Sequence, residues 1–512
     1  MRRSKGVSSK VESFGGGTSR RAFLRGSLGA MSAAVIPRHV LGGRGYVAAN
    51  DRLAVAFVGV GSQGMRVMME LMAYPQVQAV AVCDPNRGSG DFIEWGRGEL
   101  RGKVRRLLDD STWGEGREGA WCGREVALDI VNRYYAKRSG AESYRGCTAY
   151  ADFRELLERE SDIDAVVVGT PDHVHAAVSV AAMRKGKHVY CQKPMCRTVH
   201  EARTMAKVAA ETGAVTQVAV GNSASEATRV LAEWVAAGAV GSVREVHNWS
   251  ARPFWPQGIG RPTETLPVPD YLDWDIWLGP APARPYHPVY QPFVWRGWFD
   301  FGTGAIGDMG CYSFDTIFRV LQLEKPDLVE ATGSVRWIRN GNVVEVFQNG
   351  ETYPDAMTAR IAFPTRGNLA RAEVFWYDGG IKPPRPAELE TSESLADEGM
   401  LLVGDEGKIL CDFNGGAPRL LPKRRAESFS QPAKTLPRSP GHYEEWLQAC
   451  RGERITPAAN FEFTARVTES ILVPLAAHRA KQVLRWSENR WVPENSTLQG
   501  ILAPAYRDGW SL

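Results

Sequence analysis

Cysteine is sparse and scattered: eight residues in a chain of 512, none of them in a Cys-x-x-Cys pair. No Cys/His spacing matches a zinc site, so no metal centre is expected. Cys83 and Cys191 end apolar runs and read as buried strand-end residues. The spacings fix no disulfide pairing. A surplus of one charge is missing too, with 62 Lys+Arg against 58 Asp+Glu and a formal net charge of +4. A nucleic-acid partner calls for a basic stripe or tail, and none is expected here. Beyond the N-terminus no run of about 18 apolar residues occurs, so no membrane-spanning helix is expected either.

What is present is length and apolar content. With 512 residues, 44% of them hydrophobic, the chain can fill two well-packed domains. Single cores stop growing at roughly 250–300 residues. The patterns divide the chain into residues 1–49, a leader and linker; 50–220, a nucleotide-binding domain interrupted by an insertion over 85–146; and 221–512, a second domain.

Leu53-Ala54-Val55-Ala56-Phe57-Val58 reads as a strand buried on both faces. It runs into Gly59-Val60-Gly61-Ser62-Gln63-Gly64, and a helical pattern follows over 65–73. A GxGxxG between strand and helix is the context a dinucleotide site requires. Gly59 permits the tight turn, Gly61 lets the backbone approach a pyrophosphate, and Gly64 lets the helix pack close. The helix N-terminus supplies the anion site. A second strand, Val77 to Val82, leads to Asp84, placed 20 residues beyond Gly64 where a carboxylate can accept from ribose hydroxyls. That favours NAD, with NADP kept open by the nearby Arg87. Past the insertion, which includes a helical pattern over 124–138, the alternation resumes. A helix is expected from Tyr150 to Arg159 and a strand over 163–169, ending at Thr170-Pro171-Asp172-His173-Val174-His175. A helix over 176–186 and a strand from His188 to Cys191 follow, ending in Gln192-Lys193-Pro194. A helix over 199–213 and a strand over 214–220 close the pattern. Such alternation predicts a doubly wound parallel sheet, with ligands at the carboxyl ends of its strands.

The leader carries Ser19-Arg20-Arg21-Ala22-Phe23-Leu24-Arg25, a mildly apolar stretch from Gly26 to Pro37, and the small residues Val47-Ala48-Ala49. The combination resembles a twin-arginine export signal, predicting a periplasmic or otherwise extracytoplasmic protein. That route carries folded proteins, which suits a protein that must leave with its dinucleotide in place.

The ordered set of motifs resembles the Gfo/Idh/MocA oxidoreductases, the glucose–fructose oxidoreductase and inositol dehydrogenase family. The residues that carry it are the GxGxxG with Asp84, Thr170-Pro171 with His175, and Gln192-Lys193-Pro194 where the family usually has Glu-Lys-Pro. They continue with Gly302 to Asp308 and Tyr312, similar to a Gly-rich stretch leading to Asp-x-x-x-His, and with Val403 to Ile409. The resemblance covers roughly residues 52 to 485. It implies a Rossmann domain, then an α+β domain with an open, mostly antiparallel sheet that covers the nicotinamide and mediates a homo-oligomer, a dimer or tetramer. It implies cofactor contacts at Gly59, Gly61, Ser62, Gln63, Gly64, Asp84, Thr170, Pro171, His175, Gln192 and Lys193. Two departures stand out: Gln192 replaces a Glu, and Tyr312 stands where the catalytic His is expected.

The residues themselves suggest a chemistry. Removing a hydride from a secondary alcohol needs a base for the hydroxyl proton and firm placement of the carbon. Lys193, at a strand end before Pro194, is expected to have a depressed pKa and to take part in proton transfer. Asp308 and Tyr312 share a helix face; Asp308 would orient the substrate or Lys193. Tyr312 would accept the proton if Lys193 lowers its phenol pKa from about 10. Arg296 and Trp298 are candidates for hydrogen bonding and stacking on the substrate. His173 is a weaker cofactor candidate than His175. The stretch 252–298 shows little regular structure and suits a lid or contact segment; 461–482 reads as a helix. The expected activity is NAD(P)-dependent hydride transfer at a hydroxyl of a sugar, glycoside or polyol. Two other readings stay open: an NAD-dependent glycosidase or lyase with transient oxidation, and a sugar-binding protein without catalysis.

Overall fold

Apolar β-branched runs and glycine turns set the first half. The computed structural model of the protein describes residues 52–512, so the leader at 1–49 lies outside the described residues. Leu53–Val58 is buried almost throughout and pairs in parallel with Val77–Cys83 on one side and Ala165–Val168 on the other. The complete sheet has six parallel strands in the order Thr148–Tyr150, Val77–Cys83, Leu53–Val58, Ala165–Val168, His188–Cys191, Thr216–Val218. The strand order reverses between Leu53–Val58 and Ala165–Val168. The loops that leave their carboxyl ends therefore diverge to opposite sides and leave a crevice.

Element bounds differ from the pattern-based expectation in instructive places. The helix after the glycine turn starts at Ser62 instead of 65. The expected helix at 150–159 is a strand, Thr148–Tyr150, then a helix over Phe153–Arg159, because Asp152 caps it by accepting from the Arg154 amide at 2.8 Å. The helix expected over 176–186 is Asp172–Arg184: it begins directly after Pro171, with Asp172 in its first turn. The insertion holds a small two-stranded antiparallel sheet, Ser89–Phe92 with Ala120–Cys122, and helices Glu99–Leu108 and Arg124–Ser139. Its Leu100, Val104, Trp113 and Ile130 share one core with helix Ser62–Met72.

The second sheet has nine strands, in the order Arg419–Leu421, Lys408–Cys411, Gly399–Gly404, Val243–Trp249, Ala372–Tyr377, Met357–Phe363, Leu328–Gly333, Leu484–Ser487, Arg490–Val492. Every pairing is antiparallel except that of Val243–Trp249 with Ala372–Tyr377. Helix Gly304–Leu321 packs against it, and so does Phe461–Ala480, which also lies along Val199–Thr212 of the first half. Val168, Cys191, Phe314, Ile361 and Leu472 accordingly belong to one continuous core. Helix His442–Cys450 returns to the first half and buries Trp446 and Leu447 there. The architecture is the expected Rossmann sheet followed by an α+β layer with a mostly antiparallel sheet.

Candidate active site

Gly59 adopts φ +86°, and a Cβ there would overlap the backbone of Gly169 and Thr170, the loop leaving the neighbouring strand. Only a glycine brings the two loops together at the point where strand order reverses. A Cβ on Gly64 would overlap the Gly59 carbonyl, so helix Ser62–Met72 presses its first turn onto the strand end. That helix has no side-chain cap, and Gly61, its N-cap residue, lines a cavity of about 340 Å³ together with Gly59, Ser62 and Gln63. Uncapped amides facing a cavity are the donors a pyrophosphate needs.

Asp84 lines the same cavity and accepts from the Val60 and Asn86 amides at 2.8 Å each. Burial pushes its carboxyl up to about 6, against the pull of those amides and of Arg124. Arg87 does not line the cavity; its half-exposed guanidinium lies 3.7 Å from Glu125. Thr170 lines the cavity with a buried hydroxyl that has no partner in the protein. A glycine cradle, free helix amides, an acidic strand end and an orphaned hydroxyl together fit a dinucleotide with an unphosphorylated ribose.

The cavity continues onto charged residues from both halves. Lys193 donates to the Asp308 carboxylate at 2.8 Å and to the Asp308 main-chain oxygen at 2.9 Å. Arg296 donates from Nε to the same carboxylate oxygen at 3.0 Å. The Lys193 ammonium lies 4.8 Å from the centre of the Tyr312 ring. All four line the cavity, as do Thr170, Pro171 and Gln192. Two cations on one buried carboxylate fix its charge: burial raises Asp308, but Lys193 and Arg296 outweigh burial and hold it at about 2.

The same geometry corrects the expected proton chemistry. Burial pulls Lys193 down, yet the Asp308 carboxylate, with Tyr312 and Cys311 beside it, holds it above its ordinary value. Lys193 is a fixed ammonium rather than a neutral base. Tyr312 is raised as well, because burial outweighs the lowering effect of Lys193. Other expected roles shift too. His175 does not line the cavity: its Nδ1 meets the Pro194 oxygen and its Nε2 the Thr170 oxygen, each at 2.8 Å. It ties the two cavity loops together from behind, and burial pushes it down to about 4. His173 packs between Trp277 and Phe301. Gly64 acts one layer back, in helix packing. Trp298 is fully buried among Tyr290 and Phe301, with its indole N–H donated to the Val289 oxygen at 3.0 Å, and it offers no stacking face.

Aromatic faces at the cavity come instead from Phe92, Trp95, Trp277, Phe293 and Trp295. Trp95 is 62% exposed. It belongs to the insertion, which reaches the 252–298 segment through Arg87 N–H to the Tyr271 oxygen at 2.6 Å and Tyr271 Oη to Asp91 at 2.7 Å. No pattern in the sequence ties those segments. Asp172, buried on the cavity wall, was also missed as a site residue. Among the described residues no His, Cys, Asp and Glu cluster could hold a metal ion, all eight cysteines are free, and no helix is long and apolar enough to cross a membrane.

Fold and site thus define a dinucleotide-binding Rossmann protein with a second domain closing over the cofactor end of its sheet. Residues 123–220 match the family model described as "Oxidoreductase family, NAD-binding Rossmann fold", and 239–335 match "Oxidoreductase family, C-terminal alpha/beta domain". These two matched segments correspond to both domains of the Gfo/Idh/MocA oxidoreductase family. It is 30% identical over 123 residues to levoglucosan dehydrogenase of Pseudarthrobacter phenanthrenivorans, covering 23% of this chain and 30% of that protein. To 1,5-anhydro-D-fructose reductase of Ensifer adhaerens it is 28% identical over 235 residues, covering 44% of this chain and 59% of that one. Both alignments span less than two thirds of the relative. Among solved structures, the WlbA dehydrogenase of Chromobacterium violaceum, in complex with NADH and UDP-GlcNAcA, shares the fold at TM-score 0.51 and 15% identity, over 86% of this chain and 98% of that one.

Proposed function

We propose that the protein is an NAD-dependent oxidoreductase that moves a hydride between the nicotinamide and a secondary hydroxyl of a sugar, glycoside or polyol. The observation that carries this reading is that one cavity is lined both by the glycine turn with Asp84 and by Lys193, Arg296 and Asp308. The relatives named for levoglucosan and 1,5-anhydro-D-fructose support the substrate class. So do the aromatic faces of Trp95, Phe293 and Trp295 beside the charged cluster, since sugars present apolar ring faces and hydroxyl edges.

Bound NAD supplies the hydride acceptor. The chain's own residues position the alcohol. An ammonium has three donors, and two of those on Lys193 are held by Asp308, which leaves one for the substrate hydroxyl. Asp308 orients Lys193 and Arg296, and Tyr312 closes over the ammonium. Fixing the hydroxyl in this way is the positional part of the rate enhancement.

An absorbance spectrum of the purified protein, taken with NAD or NADP and then with each member of a panel of sugars, glycosides and polyols, tests the reading. Growth of the reduced nicotinamide band with one class of substrate is expected. Bond cleavage without net NADH would replace it with a redox-assisted lyase or glycosidase. Failure to bind either dinucleotide would remove it. We propose in addition that residues 1–49 direct export by the twin-arginine route and that the chain assembles as a dimer or tetramer. Cell fractionation after Arg20→Lys and Arg21→Lys checks the first, with retention inside expected. Sedimentation equilibrium checks the second.

A further inference from the structure

The fixed ammonium of Lys193 and the raised phenol of Tyr312 leave the substrate proton without an acceptor among the expected residues. A further carboxylate lines the cavity. Asp172 is 1% exposed and opens helix Asp172–Arg184 at the carboxyl end of Ala165–Val168. One carboxylate oxygen accepts from the Thr303 hydroxyl at 2.9 Å; the other is buried and has no partner in the protein. A buried acceptor without a partner costs about 1–3 kcal/mol and calls for an explanation. Thr303 makes the arrangement more pointed. It occupies the N-cap position of helix Gly304–Leu321, yet its hydroxyl is not used as a cap and is given to Asp172 instead. Capping by threonine contributes about 1 kcal/mol.

We propose that Asp172 is the proton acceptor of the hydroxyl that Lys193 orients. The proposal rests on the oxidoreductase reading. The balance is simple. The hydride leaves the carbinol carbon with its electron pair for NAD, which is reduced. The hydroxyl O–H bond breaks, its proton passes to the Asp172 carboxylate on the cavity wall, and the carbon–oxygen double bond forms. In the reverse direction the protonated carboxyl returns the proton.

The surroundings suit a group that must change charge near neutrality. Burial pushes the Asp172 carboxyl up, and Asp308 adds to it. Arg296, Thr303 and Lys193 pull the other way, leaving it at about 8. Cys191, Cys196, Cys311 and Tyr353 also feel its charge, and burial holds each of them above its usual value, so they stay neutral around pH 8. On its own helix, His173 and His175 are neutral there, pushed down by burial to about 3 and about 4. A base matched to the working pH transfers protons best.

Asp172→Asn keeps the acceptor for Thr303 and removes only the charge and the proton site. The expected result is a loss of turnover of at least about 100-fold. NAD affinity should be unchanged, and the decline of wild-type oxidation below about pH 8 should disappear. Thr303→Val should move that decline to higher pH, because it removes a donor to the ionised form. A readout independent of turnover is infrared titration of the cofactor-free protein: a protonated-carboxyl band should appear as pH falls through about 8 and be absent in Asp172→Asn. Retained turnover with the wild-type pH profile in Asp172→Asn, or a band that persists in it, overturns this assignment alone. Wild-type protein that reduces no NAD with any polyol overturns the oxidoreductase reading with it.

Discussion

At the scale of single residues the site is governed by charge placed out of water. Asp308 lies between two cations, and its removal leaves them facing each other without a counter-ion. Breaking a buried pair in this way costs about 3–5 kcal/mol. Asp308→Asn should therefore lower the unfolding free energy measured in urea by that order, whereas loss of an exposed pair such as Arg244 with Asp405, about half exposed on both sides, should have a far smaller effect. Asp172 acts on stability with the opposite sign. Its folded value of about 8 lies above the unfolded value of about 3.9, so between these pH values the native state binds the extra proton and stability falls as pH rises. Thermal melts should show Asp172→Asn gaining on the wild type near pH 9 and matching it more closely near pH 5. Identical gaps at both pH values would contradict this. The sequence pointed to Lys193, Asp308, Arg296 and Tyr312 through motif position, and the structure brings all four to one cavity. It could not show that Lys193 stays charged, because that depends on a carboxylate 115 residues away in the chain.

At the scale of elements, the glycine turn is where sequence and geometry agree most closely. Gly59 needs a positive φ and has the neighbouring loop against it. A residue with a Cβ there costs about 1–2 kcal/mol in backbone strain alone. Gly59→Ala should weaken NAD binding at least about tenfold in calorimetric titration, and wild-type affinity would argue that the turn does not touch the cofactor. Strands were legible because both faces are buried and read as continuous apolar runs. The helix at Asp172 was placed too late because Pro171, Asp172 and His173 carry no apolar periodicity; their signal is the proline and acidic start of a helix. Trp298 was misread as a stacking face because an aromatic next to an arginine looks the same whether it faces a cavity or a core.

At the scale of the whole molecule, the two sheets share one core through Phe461–Ala480, and Trp446 of His442–Cys450 is buried in the first half. The halves should unfold together. Calorimetry is expected to show one transition that NAD shifts as a whole, by about 2.7 kcal/mol of stability at a hundredfold excess over Kd. Two transitions of which only one moves would show that the halves are independent. The insertion belongs to this scale as well. It reads as an interruption in the sequence, but its Phe92 and Trp95 wall the cavity, and its Asp91 holds Tyr271 of the second half.

The sequence by itself determined the alternation of strands and helices, the glycine turn, Asp84 and the candidate cluster at Lys193 and Asp308. These are local matters of periodicity, backbone freedom and short spacing. Only the tertiary structure decided which groups carry charge, which aromatics face the cavity, and that Asp172 is left with a free buried oxygen. Those properties arise from desolvation and from partners brought together across the chain, which no local pattern encodes.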